Sequence, residues 1–140
     1  DFEYSDLELE KDHIDSSEEL TVSCTIKNIG SMDGDEVVQL YISDLQASKI
    51  RPYMEFAGCS RIFLKAGEKC KVTFKIKASQ FAFVDRTGKW IVEKGDMKLM
   101  IGKSSNDILL ESKFYINDTA YINPAQRGFY ALTSQERKYK

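Results

Sequence analysis

The run Leu20-Thr21-Val22-Ser23-Cys24-Thr25-Ile26-Lys27 alternates strictly, with apolar side chains at even positions and mostly polar ones at odd positions. In an extended chain successive side chains point to opposite faces, so this stretch predicts a strand with one buried and one wet face. Cys70, Val72, Phe74 and Ile76 repeat the pattern against Lys69, Lys71, Thr73, Lys75 and Lys77. Met97, Leu99 and Ile101 do so less cleanly, because Met100 interrupts the polar phase.

Working outward, Val37 to Ile42 is apolar in both phases apart from Gln39, which predicts a central strand covered on both sides. Phe56 to Leu64 and Ile108 to Ile116 read as further strands, and Tyr4 to Leu9 as a shorter edge strand. Turn residues separate them: Asn28-Ile29-Gly30, Asp33-Gly34-Asp35, Lys65-Ala66-Gly67-Glu68, Asp85-Arg86-Thr87-Gly88 and Lys94-Gly95-Asp96. No segment before the tail carries the stripe of an amphipathic helix. The expected fold is all-β, an immunoglobulin-like or fibronectin type III antiparallel sandwich of about seven strands. It should occupy residues 1–116, with 117–140 as a C-terminal extension, docked or disordered, that shows no strand alternation.

The composition fits a single globular domain: 140 residues, 42% hydrophobic and 30% charged, with a formal charge of −2. Acidic and basic residues interleave, so no basic footprint for nucleic acid is expected, and no apolar run is long enough to cross a membrane. The chain opens on Asp1 with no basic-then-apolar leader, which reads as a processed or excised product. Cys24, Cys59 and Cys70 are odd in number and lack C-x-x-C spacing, arguing against a disulfide scaffold or a zinc site. Cys24 and Cys70 fall in the apolar phase, as buried thiols do, and this favours a reducing compartment without fixing the localisation.

Chemistry is hard to find. The one histidine, His13, sits in the polar run Glu10-Lys11-Asp12-His13-Ile14-Asp15 and reads as a surface residue, not as a triad member or metal ligand. Asp33-Gly34-Asp35-Glu36 lacks the ligand ladder of a calcium loop and reads as a turn entering a strand. The glycines match no nucleotide-binding spacing, and no carboxylate pair stands out as a glycosidase acid and base. No catalytic residue, cofactor or metal is therefore expected. Trp90 and Tyr41 read as core-closing aromatics, while Tyr53 lies in the long connection from Asp44 to Glu55 beside Ser48, Arg51 and Pro52. Connections of that length are often functional.

A series of short motifs runs in order through the chain. It reads N-x-G at Asn28–Gly30, G-D-E-V-V-Q-L-Y at Gly34–Tyr41, S-x-x-R-P at Ser48–Pro52 and E-F-A-G-C-x-R-I at Glu55–Ile62. L-K-A-G-E follows at Leu64–Glu68, F-A-F-V-D at Phe81–Asp85, W-I-V-E-K-G-D at Trp90–Asp96 and I-G-K-S-S-N-D-I at Ile101–Ile108. Over residues 2–116 the series resembles the fibronectin type III-like C-terminal domain of family 3 glycoside hydrolases, the β-glucosidase and β-xylosidase group.

The resemblance implies a non-catalytic accessory domain of a retaining hydrolase whose catalytic barrel and α/β domains, parts of the same polypeptide, are its partners. It places Ser48, Arg51, Pro52 and Tyr53 at the interdomain surface or substrate entrance, with Arg51 the natural anchor because its guanidinium offers several donors at once. It also gives an aromatic where this chain has Cys59, after a turn at Gly58. The alternative is an independent carbohydrate-binding or protein-interaction module with oligosaccharide as partner. Docking predicts an exposed apolar patch, and sugar binding predicts exposed aromatics on a face or rim.

Overall fold

The computed structural model describes residues 1–45, 54–123 and 132–138. The strands in chain order are β1 (Phe2–Leu9), β2 (His13–Ile14), β3 (Glu19–Asn28), β4 (Gly34–Asp44), β5 (Glu55–Leu64) and β6 (Lys69–Lys77). A 3₁₀ turn, Ala78–Phe81, precedes β7 (Phe83–Val84), β8 (Trp90–Val92), β9 (Gly95–Ser104), β10 (Asp107–Ile116), β11 (Ala120–Ile122) and β12 (Leu132–Lys138). They form two main sheets, ordered β1-β3-β6-β12 and β2-β10-β9-β4-β5, and a small third sheet, β11-β8-β7. All pairings are antiparallel except the short parallel contact of β2 with β10. The fold is therefore the all-β sandwich that the alternation predicts.

The register explains the core. Leu20, Val22, Cys24 and Ile26 of β3 lie opposite Ile76, Phe74, Val72 and Cys70 of β6, and all eight are buried. Val38, Leu40 and Ile42 of β4, Met97, Leu99 and Ile101 of β9, and Ile62 and Leu64 of β5 face them from the other sheet. Each such side chain contributes about 1.5–3 kcal/mol when fully buried. At one end the 3₁₀ turn plugs the sandwich: Phe81 meets Phe114 edge-on, with ring centroids 5.3 Å apart. At the other end Asn28 and the turn Lys65–Glu68 close it, with Gly67 at φ +82° where a side chain would be strained.

Three features differ from the sequence reading. β4 is central, between β9 and β5, but only its second half is covered on both sides: Tyr41 and Ser43 are buried, whereas Val37 is exposed. Gly58 does not turn the chain; Gly58 and Cys59 lie inside β5, beside a bulge where the pairing shifts between Leu40 and Tyr41. The segment after residue 116, read as having no strand alternation, supplies β11 and β12. β12 pairs with β6 from Lys69 to Lys75, and Gln135 Nε2 reaches across to Ser60 Oγ (2.7 Å) and the Arg61 carbonyl (2.9 Å) on β5. The last strand thus ties the edge of one sheet to the edge of the other.

Candidate functional site

Ser48, Arg51, Pro52 and Tyr53 lie outside the described residues. The stems of their connection are placed: Leu45 donates its backbone N–H to the Asp96 carbonyl (3.1 Å), and Tyr41 meets Phe56 edge-on at 5.6 Å across the start of β5. The Tyr41 hydroxyl hydrogen-bonds Gln39. Trp90 is half-buried against the core. His13 is exposed, with Nδ1 2.8 Å from Asp12 Oδ1 and its ring 5.5 Å from that of Tyr115. Asp33 caps a turn by accepting from the Ala66 N–H (2.8 Å). Among the described residues no three His, Cys, Asp or Glu side chains converge as metal ligands would.

The chemically distinctive surface is the outer face of the five-stranded sheet. Phe56, Cys59, Arg61 and Phe63 of β5 stand beside Tyr41, Gln39, Val37 and Asp35 of β4. On the other side of β4, Tyr41 pairs with Met100, and Met100 pairs in turn with Glu111 of β10, next but one to Leu109. Val37, Phe56, Phe63 and Leu109 are 36–44% exposed, and Tyr41 and Met100 fill the surface between them. The rim is charged, with ion pairs Arg61–Asp35 (3.3 Å) and Lys98–Glu111 (3.2 Å).

The outer face of the other sheet is the opposite in character. Lys27 opposite Lys69, Thr25 opposite Lys71, Ser23 opposite Thr73, Thr21 opposite Lys75 and Glu19 opposite Lys77 make it a hydroxyl and ammonium surface. None of the exposed large hydrophobic residues among those described lies there. The lysine alternation of β6 is therefore a solvated strand face, while the apolar face is suited to burial against another protein surface.

A second feature is an open groove at the end of the sandwich that carries the β4–β5 connection. The 15–19 loop, the start of the 3₁₀ turn and β11 line it, and its volume is about 470 Å³. The loop is held by carboxylates. Asp118 accepts from the Ser16 N–H and hydroxyl, and Glu18 accepts from the Asp15 N–H and pairs with Lys11. These bonds hold the Asp118 and Glu18 carboxyls below the ordinary carboxylate range.

The comparisons with known proteins agree with this architecture. A family model described as the fibronectin type III-like domain matches residues 36–105, half of the chain. The chain belongs to that family. This fibronectin type III-like domain is 39% identical over 122 residues to the thermostable β-glucosidase B of Acetivibrio thermocellus, covering 86% of this chain but 16% of that protein. A β-glucosidase of Kluyveromyces marxianus is 33% identical over 124 residues, again 86% of this chain and 14% of the enzyme. Among solved structures, β-glucosidase 3B from Thermotoga neapolitana in complex with glucose superposes with a TM-score of 0.78 at 31% identity. That match covers 89% of the domain and 17% of the enzyme. The domain is thus homologous to the C-terminal region of family 3 β-glucosidases and spans about a sixth of their length.

The sequence missed the apolar face because Phe56, Phe63, Val37 and Leu109 belong to three runs whose outward phase mixes apolar with polar residues. A signal was present: Phe63 falls in the same phase as Arg61, which is the outward one.

Proposed function

We propose that this chain is a non-catalytic accessory domain of a family 3 glycoside hydrolase, β-glucosidase-like and retaining, and that it docks on the catalytic part of the same polypeptide through the outer face of its five-stranded sheet. The observation that carries this reading is the contrast between its two outer faces: Val37, Phe56, Phe63 and Leu109 on one, threonines and lysines on the other. The relatives supply a partner surface, since more than four-fifths of each lies outside the matched region. In this reading residues 1–116 are the sandwich proper and 117–140 an extension docked on it. In the same reading Ser48, Arg51, Pro52 and Tyr53, in the connection between β4 and β5, belong to the interdomain surface or substrate entrance, with Arg51 as a polar anchor.

The test compares the chain alone with the chain joined to its upstream coding sequence. Phe63 buries a further ~80 Å² on docking, if a phenylalanine offers roughly 200 Å², which is about 2 kcal/mol. Phe63→Ser should destabilise the joined polypeptide by about 2 kcal/mol more than it destabilises the isolated domain, and Phe56→Ser should show a similar excess. Equal effects in both contexts would refute docking by this face. Turnover of an aryl glucoside by the isolated chain, above a boiled control, would refute the non-catalytic reading.

A further inference from the structure

The end groove has the chemistry of a small-ligand site, and none of its lining residues belongs to the docking face. One wall is Tyr121, 61% exposed. Lys89 Nζ sits 5.6 Å from the ring centroid, and the turn that carries Lys89 is held by the Asp85 carboxylate, which accepts from Thr87 Oγ1 (2.6 Å) and from the Thr87 and Lys89 N–H groups. The facing wall carries Ser17, Glu19 and Lys77, with Glu19 and Lys77 directly opposite each other across β3 and β6. The side chains of Ser17 and Glu19 make no hydrogen bond to another described residue. The volume, about 470 Å³, falls within the range of small-molecule clefts, about 300–1,000 Å³.

We propose that this groove is a binding subsite for a neutral saccharide. A pyranose ring presents C–H groups on its flat face and hydroxyls at its edge. The first suit an aromatic platform, which is apolar on its surface. The second need donors and acceptors side by side, and Lys77, Ser17 and Glu19 provide a donor-only, a two-way and an acceptor-only group in one wall. A phosphate or an acidic peptide fits worse, because Glu18 and Glu19 stand at the same rim.

The experiment is a ¹⁵N NMR titration of the 140-residue chain with cellotetraose, with maltotetraose and, separately, with inorganic phosphate, each up to about 10 mM, the range where weak single-site binding is measurable. Shifts should concentrate at residues 16–19, 77–79 and 120–122 with either sugar, and not with phosphate. Tyr121→Ala should weaken binding about tenfold, as loss of an aromatic anchor does, whereas Tyr121→Phe should keep most of it. If Tyr121→Ala perturbs the spectrum of the free domain, Glu19→Gln combined with Lys77→Met replaces it, with a similar loss expected. No sugar-dependent shifts, shifts centred on other residues, a response to phosphate alone, or full binding by the disabling variant would each overturn the proposal. Phe63→Ser, which tests the docking face, should leave the sugar response unchanged, so the two readings fail separately.

Discussion

Asn28→Ala should destabilise this domain more than any other single polar substitution we can identify. Asn28 ends β3 and is 1% exposed. Its Nδ2 donates to the Met32 carbonyl (2.9 Å) and the Leu64 carbonyl (3.0 Å), and its Oδ1 accepts from the Gly30 N–H (2.9 Å). One amide therefore fastens the 29–33 turn to the end of β5. Truncation removes three hydrogen bonds, each contributing about 0.5–1.5 kcal/mol net. The Gly30 and Met32 groups can turn to water, but Leu64 is fully buried and its carbonyl loses a partner, a penalty of about 1–3 kcal/mol. The expected loss is about 3 kcal/mol, or roughly 10 °C in Tm for a domain of this size. Urea unfolding followed by Trp90 fluorescence measures it directly. Asn28→Asp serves as a shape-preserving control: it keeps the acceptor for Gly30 but turns an oxygen toward two carbonyls. It should be at least as damaging at neutral pH and less so in acid, where the introduced carboxyl is protonated and can donate again. A loss under about 1 kcal/mol for Asn28→Ala, with Asn28→Asp neutral at pH 7, would refute the reasoning.

Four further outcomes follow from particular contacts. Gly102→Ala places a Cβ 2.2 Å from the Asp107 carbonyl and 2.8 Å from Ile108 Cα, so the β9–β10 hairpin must move, at a cost of about 2–3 kcal/mol in urea unfolding; a neutral variant would contradict the register there. Burial, and then the neighbouring Cys70, pushes the Cys24 thiol up to about 12, so a thiol reagent at pH 8 should label Cys59 alone in the native domain and all three cysteines in denaturant. Burial, then the charge and hydrogen bond of Glu36, raises the Tyr4 phenol above its ordinary value. A folded-state pKa above the unfolded one means that this stability is present below about pH 10 and is lost as pH rises through and beyond it. Melts between pH 8 and 11 should therefore fall more steeply for the wild type than for Tyr4→Phe, and identical slopes would remove the assignment. Gln135→Ala removes both bonds from β12 to β5 and should lower stability by about 1 kcal/mol, with faster amide exchange along β12 as the specific readout.

The parts of the fold legible in sequence are those where a strand has one buried and one wet face. β3 and β6 announce themselves because the same phase that writes Leu20, Val22, Cys24 and Ile26 also meets Ile76, Phe74, Val72 and Cys70. β12 wrote no such pattern. Its residues Thr133–Glu136 are exposed, and it is held by backbone hydrogen bonds, which any sequence without proline can make. The candidate site was legible only in kind. An exposed apolar patch was expected of a docking domain, but Val37 and Tyr41 look equivalent in sequence, and only the cover from Phe56 at the bulge of β5 buries one and leaves the other open. The end groove had no local signal at all, since its walls come from residues 16–19, 77–79 and 120–122, far apart in the chain.

By itself, then, the order of side chains determined the two-residue period, the turns, the buried thiols and the kinship to the C-terminal region of family 3 β-glucosidases. These are properties of segments, and a strand's pleat carries them without reference to its neighbours. Tertiary structure alone decided which apolar side chains stay at the surface, where the last strand docks and how Tyr121 comes to face Glu19 and Lys77. Those depend on register between strands distant in sequence, and a shift of one residue would exchange the inward and outward faces of every strand involved.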